Sequence, residues 1–268
     1  MKSVRLIIFI TPFFLLWSCV NEDVVKNNIR IKASAHLSRT TYNSSNGMTD
    51  VSWEKGDVIT LCTLEQIQEY YAINSGVETE FQAVNKKIQL HDGDSVFAYY
   101  PNHSNINNTN STLSTRKVLL PSIMNQWYTS GLSVYDFMHT SGCVKNEELN
   151  LQFEHVFAFM KVKISVDVLQ KLGANENGHY LFTLRSTNMI ACSNAMFSLD
   201  KKKIEGDFFD HVIYIIDEKL DTEKLVTCYI AMLPQPDEAY VQFFVGSTLL
   251  YENRTPHGGF KAGHVYIL

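Results

Sequence analysis

Few side chains in this chain fall into patterns that catalysis or metal binding would need. His91-Asp92-Gly93-Asp94 sets three possible metal donors within four residues. It lacks the ligand count of a calcium loop, and a glycine between two aspartates reads as a turn between strands. The adjacent carboxylates Glu147-Glu148 and Asp217-Glu218 would point to opposite faces of a strand, which makes them poor acid–base couples. The nine histidines are scattered. No His-Glu-x-x-His, Gly-x-Ser-x-Gly, P-loop or Gly-x-Gly-x-x-Gly pattern occurs. No catalytic residue, metal site or cofactor is therefore expected. Cys62, Cys143, Cys192 and Cys228 show no CxxC or Cys/His spacing. An oxidising compartment would allow three pairings among them, with buried free thiols in strands as the expected state.

The fifth cysteine sits in a different context. Lys2 and Arg5 precede Leu6–Trp17, which is continuously apolar apart from Thr11 and Pro12. Twelve residues rise only about 18 Å as a helix, short of a hydrocarbon core of roughly 30 Å, and Pro12 would break that helix. The segment reads as the apolar region of a signal peptide over residues 1–18. Leu16-Trp17-Ser18-Cys19 then resembles the bacterial lipobox, with Trp17 bulkier than that motif usually carries. The resemblance implies acylation of Cys19, and at about 0.8 kcal/mol per buried CH₂ two or three acyl chains hold a protein firmly. Val20-Asn21-Glu22-Asp23 resembles the acidic surface-export signal of Bacteroidetes lipoproteins, which implies an outer-membrane protein facing the exterior.

Composition narrows the partners. The chain has 268 residues, 45% hydrophobic and 19% charged, with a formal net charge of −5. Without Lys2 and Arg5, 21 basic residues stand against 28 acidic ones, which gives −7. An acidic body has no electrostatic attraction for nucleic acid or anionic lipid. Asn43, Asn102, Asn107, Asn110 and Asn253 begin Asn-x-Ser/Thr triplets, read here as turn residues of a bacterial protein.

Apolar residues recur with period two in short runs punctuated by Gly and Pro, the pattern of antiparallel β-sandwiches. After a polar tether over 19–28, Ile29, Ile31, Ala33 and Ala35 alternate with polar residues and predict a first strand. Strands are also expected at 51–53, 58–63, 79–84, 87–90 and 95–100, with a polar surface loop over 102–115. From 149 the pattern restarts. Val156 to Val168 alternates most clearly, with Lys161 and Lys163 facing outward and one or two helical turns possible at 166–172. Further strands are expected at 180–186, at 196–199 with 203–204 as a hairpin, and at 211–216, 224–232, 240–245 and 264–268. These readings divide the body into an N-terminal sandwich, 29–150, and a C-terminal one, 151–268. Trp53 before the Gly56-Asp57 turn would plug one end of the first sandwich. His155 reads as a core histidine rather than a ligand.

An ordered series of landmarks resembles the fimbrillin-like family of Bacteroidetes surface proteins. It comprises Ser38-Arg39-Thr40, Trp53-Glu54-Lys55-Gly56-Asp57, Val96–Pro101, Tyr135–Met138, Leu151–His155 with Ala158, and Phe260–Tyr266. The resemblance implies an all-β protein of two tandem transthyretin-like antiparallel β-sandwich domains. It also implies a structural role in fimbriae with other fimbrial subunits as partners. In some such subunits a surface protease cuts after an Arg near the first strand, and a neighbour's extended segment fills the opened groove by strand addition. Arg39, in the turn after the first strand, is the candidate processing site, with Arg30 second. A stand-alone surface protein holding a glycan or host protein is the alternative. The chain stops at Ile267-Leu268, where polymerising members tend to carry a donor segment, which suits an anchor or terminal subunit or a non-polymerising relative. Metabolic labelling with radioactive palmitate is expected to mark the wild-type chain and not Cys19→Ala, and equal labelling of the two would remove the anchor.

Overall fold

The computed structural model describes residues 29–35, 52–85, 88–101, 116–130, 134–172, 175–176, 179–217, 220 and 225–268. Cys19, Arg39 and the loop 102–115 lie outside them. In chain order the strands begin with β1 (Arg30–Ala35), β2 (Val58–Cys62), β3 (Ile67–Ala72), β4 (Glu78–Ala83) and β5 (Ser95–Tyr100). β6 (Lys117–Leu119), β7 (Asn125–Trp127), β8 (Met138–Cys143), β9 (Glu148–His155) and β10 (Ala158–Ser165) follow. After a short helix α1 (Val166–Lys171) come β11 (Asn175–Glu176), β12 (His179–Ser186), β13 (Ala191–Ser198), β14 (Lys203–Phe209) and β15 (His211–Ile216). The last are β16 (Leu225–Met232), β17 (Tyr240–Val245), β18 (Thr248–Arg254) and β19 (Val265–Ile267). The all-β expectation holds. In α1, Ser165 caps the N-terminus by accepting from the Val168 N–H, and Lys171 occupies the last turn, where a cation suits the helix dipole.

Seven strands in the order β1-β4-β3-β2-β5-β8-β9 close on themselves through β1–β9 pairing. Inside this barrel lie Ile31, Ala33, Trp53, Ile59, Leu61, Phe81, Val96, Leu149, Leu151 and Phe153, among others. Trp53 is buried as its position before a tight turn predicts, and Gly56 supplies the positive φ (95°) that the turn requires. The second core is built between a five-strand run β18-β17-β12-β15-β7 and two three-strand sheets, β16-β10-β19 and β14-β13-β6. Phe157, Phe159, Phe182, Leu184, Val212, Ile230 and Phe243 fill it.

The pairing crosses the division expected near residue 150. β6 and β7 precede it, yet pair with β13 and β15. β9 and β10 run almost end to end from the barrel into the second core. Phe97 and Tyr99, on the outside of the barrel, pack against that core. Lys161, expected to face outward, is only 4% exposed, with its ammonium 5.2 Å from the Tyr229 ring centre. The alternation still places it opposite Met160 and Val162, but a cross-strand tyrosine covers it. No helix among the described residues is long and apolar enough to cross a membrane.

His139 of β8 lies where the two cores meet, its ring 4.5 Å from that of Phe197 on β13. Burial, with a smaller contribution from Lys202, pulls its pKa down from 6.5 to about 4. Between those values the unfolded chain takes up a proton that the folded chain refuses. The stability His139 contributes is therefore complete above pH 6.5 and lost as pH falls toward 4, by up to about 1.4 kcal/mol per unit. Urea unfolding at pH 7 and pH 5 is expected to show a larger loss of stability for the wild type than for His139→Phe.

Candidate assembly site

β1 is the shortest route to a site because the remaining barrel is an open sheet without it. Its alternation turns Ile31 and Ala33 inward, 4% and 1% exposed, and Arg30 and Lys32 outward. On one side β1 runs antiparallel to β4, with Ile31 opposite Phe81 and Ala33 opposite Thr79. On the other it runs parallel to β9, with Ile31 opposite Leu149 and Ala33 opposite Leu151. The Arg30 N–H donates to the Glu147 carbonyl at 3.0 Å, which starts the β9 ladder at the turn.

The floor of the slot is aromatic. Trp53 makes edge-to-face contacts with Phe81, Tyr100 and Phe153 at centroid distances of 5.2, 5.5 and 5.2 Å. Beside β1 a small cavity of about 70 Å³ is lined by Ile29, Ile31, Tyr70, Phe81, Ile88 and Leu90. The Tyr70 hydroxyl accepts from the Ile88 N–H at 3.1 Å, and burial raises its pKa. At the rim, Arg30 Nε lies 3.4 Å from Glu80 and Lys32 Nζ 3.9 Å from Glu148. Such exposed pairs contribute at most about 1 kcal/mol each, so β1 is held by its two backbone ladders and by Ile31 and Ala33. Without β1, paired backbone groups of β4 and β9 would be left open above an apolar floor. An extended segment with apolar residues at alternate positions fits that opening.

Arg30, the second candidate processing residue, stands at the first position of β1 and is paired within the sheet. Arg39, the first candidate, and Cys19 fall outside the described residues. His91-Asp92-Gly93-Asp94 forms a turn before β5: Asp94 accepts from the His91 N–H at 2.8 Å. Residues 88–90, expected as a strand, carry none. Asp92 accepts from the N–H groups of Asn146 and Glu147, each at 3.1 Å, and so braces the turn that leads into β9. No cluster of three His, Cys, Asp or Glu suited to a metal occurs among the described residues. Cys62, Cys192 and Cys228 are buried free thiols and Cys143 an exposed one. Burial lifts the three buried thiols to about 12. His155 is a core residue, with Nδ1 2.7 Å from an Asp136 carboxylate oxygen and both side chains almost fully buried.

A larger opening was not anticipated. A cavity of about 620 Å³ is lined by Thr63, Gln66, Ser95, Phe97 and Arg116, among others. The Arg116 guanidinium stands 5.4 Å from the Phe97 ring centre. Nothing local in the sequence marks it, since its walls come from the β2–β3 turn, the start of β5 and the entry to β6.

A fimbrillin-like family model matches residues 39–268. Two solved structures share the fold. One is a candidate cell adhesion protein from Bacteroides uniformis, 13% identical, with 89% of this chain and 90% of that one covered and a TM-score of 0.53. The other is a candidate cell adhesion protein from Bacteroides ovatus, 14% identical, with 88% and 90% covered and a TM-score of 0.51. No curated protein matches the chain significantly.

The slot makes its floor the most sensitive part of the barrel. Trp53→Ala is expected to destabilise the folded chain by about 3–5 kcal/mol, whereas Leu64→Ala, at an exposed turn, should change it by less than about 0.5 kcal/mol. Denaturant midpoints of the two variants check this.

Proposed function

Because the chain belongs to the fimbrillin-like family, we propose that it is a fimbrial structural and adhesive subunit, exported as a lipoprotein and assembled by β-strand addition at the slot of β1. The family is one of cell-surface fimbrial and adhesion proteins rather than enzymes. The observation that carries the reading is the position of β1. It is one six-residue strand bonded on both edges and seated over an aromatic floor.

The order of three residues along the chain couples anchoring to assembly. Cys19 precedes β1 and Arg39 follows it. A single cut after Arg39 would detach the lipid and the strand together, so the tethered form keeps its slot filled and the released form carries it open. A cut after Arg30 would leave Ile31–Ala35 in place, which is why Arg39 is the better site. Uncut, the chain is an outer-membrane anchor at the cell surface. Cut, it accepts an extended strand from another subunit. β19 lies parallel to β10, with Phe159 opposite Val265 and Lys161 opposite Ile267. A segment held in its own sheet is not available for donation, which favours a terminal place in an assembly. Two units remain the reading for 29–150 and 151–268, although β9 continues past 150 to His155 within the barrel and β6 and β7 pair into the second core.

A second reading rests on the cavity beside Arg116. Its mixed hydroxyl, amide, aromatic and guanidinium lining suits a glycan or a host-protein side chain held by a stand-alone surface protein. Binding to a glycan array by a chain that forms no multimers would select it.

Unboiled surface preparations from the native host distinguish the two. The wild type is expected to give a ladder of high-mass species, Arg30→Ala the same ladder, and Arg39→Ala a single band that retains palmitate. A ladder undiminished in Arg39→Ala would overturn strand release at that residue.

A further inference from the structure

The slot of β1 is not filled evenly along its length. Inward positions recur at every second residue, so the alternation of Ile31 and Ala33 extends back to Ile29, just ahead of β1. Carried two residues back, the β1–β4 register sets Ile29 opposite Ala83, and Ala83 in turn pairs with Tyr70 of β3. One row therefore reads Ile29, Ala83, Tyr70, with its smallest side chain in the middle. The next row reads Leu149, Ile31, Phe81, Ala72, and every member of it is buried. The third sets Ala33 between Leu151 and Thr79, again all buried. The slot is thus wide at Ile29, filled at Ile31 and narrow at Ala33.

The shortfall in the first row is present as space. The cavity of about 70 Å³ is walled by Ile29, Ala83 and Tyr70, with Ile31, Ile88 and Leu90 beside them, and it does not reach Ala33. Ile29 and Ala83 are only half-buried against the barrel core, whereas Ile88 and Leu90 are fully buried. A water needs roughly 10–15 Å³ of such space, so the volume would suffice for several, but each also needs two or more polar partners. The wall offers the Tyr70 hydroxyl, which already accepts from the Ile88 N–H at 3.1 Å, and the exposed Gln82. Space of this kind is suited to an apolar side chain and not to water or a polar ligand.

We propose that this space is the specificity subsite for the strand that replaces β1. The strand it accepts carries Leu, Met or Phe at the position of Ile29, an Ile or Val at that of Ile31, and an alanine or glycine at that of Ala33. The inference rests on strand addition at the slot and names which strand is taken. The ladders of β4 and β9 offer the same backbone groups to any extended segment, so pockets at alternate side-chain positions supply the choice. The taper also fixes register. A slip of two residues would force a large side chain into the site of Ala33, where overpacking is costly. A slip of one would turn the apolar set outward. β1 itself leaves the subsite part-empty, so it holds the slot through its covalent attachment and yields to a better-filling strand once detached.

Two measurements test this. In the full-length uncut chain, the better of Ile29→Met and Ile29→Phe is expected to lower the unfolding equilibrium constant in urea about fivefold, since methionine adapts to an irregular gap and phenylalanine fills a larger one. Ile29→Ala should raise that constant several-fold, and Ala33→Met should raise it further. The second measurement uses a chain opened after Arg39 at an inserted recognition sequence for a specific protease. A labelled peptide of residues 29–35 is expected to bind it, read by fluorescence anisotropy. The same peptide with Ile29→Met or Ile29→Phe should bind several-fold more tightly, and with Ala33→Met it should not bind. Equal affinity for the first three peptides would overturn the subsite and leave strand addition standing. Binding by none of them would overturn strand addition and the subsite together. An uncut chain stabilised by neither larger residue would overturn the subsite by itself.

Discussion

The barrel is held together by one closure, the parallel ladder between β1 and β9. Every other neighbouring pair in the cycle is antiparallel, and consecutive strands make three of those six, β2–β3, β3–β4 and β8–β9. The β1–β9 pair joins residues more than a hundred positions apart, Ile31 to Leu149 and Ala33 to Leu151. Loop closure over that distance carries an entropy cost that only the rest of the barrel, already formed, can offset. On the proposed strand release, the piece that would exchange is thus the one that closes the cycle at the largest separation in sequence. Its side chains are modest, one Ile and one Ala inward, so most of its hold comes from backbone pairing that any extended segment can reproduce. The aromatic floor of Trp53, Phe81 and Phe153 belongs to other elements and would stay if β1 left.

The second core is joined to the barrel by a strand rather than by a linker. β9 ends at His155 and β10 begins at Ala158, and over this step the chain passes from one core to the other. The Val156 N–H donates to the Phe137 carbonyl at 2.9 Å, next to the buried His155–Asp136 contact. A buried charged or polar pair adds little stability against an apolar replacement, yet losing one partner costs several kcal/mol. Its effect here is to fix the register of 135–138 against the end of β9. β6 and β7 strengthen the union from the opposite direction, since they leave the first half of the chain to pair with β13 and β15.

Where the sequence was legible, each strand carried its own alternation. β1, β5, β12, β15, β16 and β17 fall within a residue or two of their expected bounds because buried residues occupy every second position. The unread strands lack that signal for identifiable reasons. β7 turns a single residue inward, the polar Gln126, which bonds both the N–H and the C=O of Ala231. β6 has three residues and one inward side chain. β8 reads Met-His-Thr-Ser-Gly-Cys, and β18 buries almost nothing, so both are specified by their neighbours. β3 alternates only weakly, with Tyr70 and Ala72 fully buried. The slot of β1 was readable as far as the strand itself, from the alternation of Ile31 and Ala33. Its second wall, β9 in parallel, was not, because alternation says which face a strand buries and nothing about which strand lies beside it. The cavity near Arg116 was invisible for the related reason that three distant segments build it.

The edges and faces of this molecule are not protected alike, and the differences are informative. β18 ends the five-strand run as an exposed strand, but an irregular step at Phe243–Phe244 and the charges of Glu252 and Arg254 interrupt it. Bulges and charges on an edge are the usual means by which sheets resist pairing with strangers. The β18 edge is thus blunted where a strand could add without control, while β1 fills the slot that the proposed cut would open to addition.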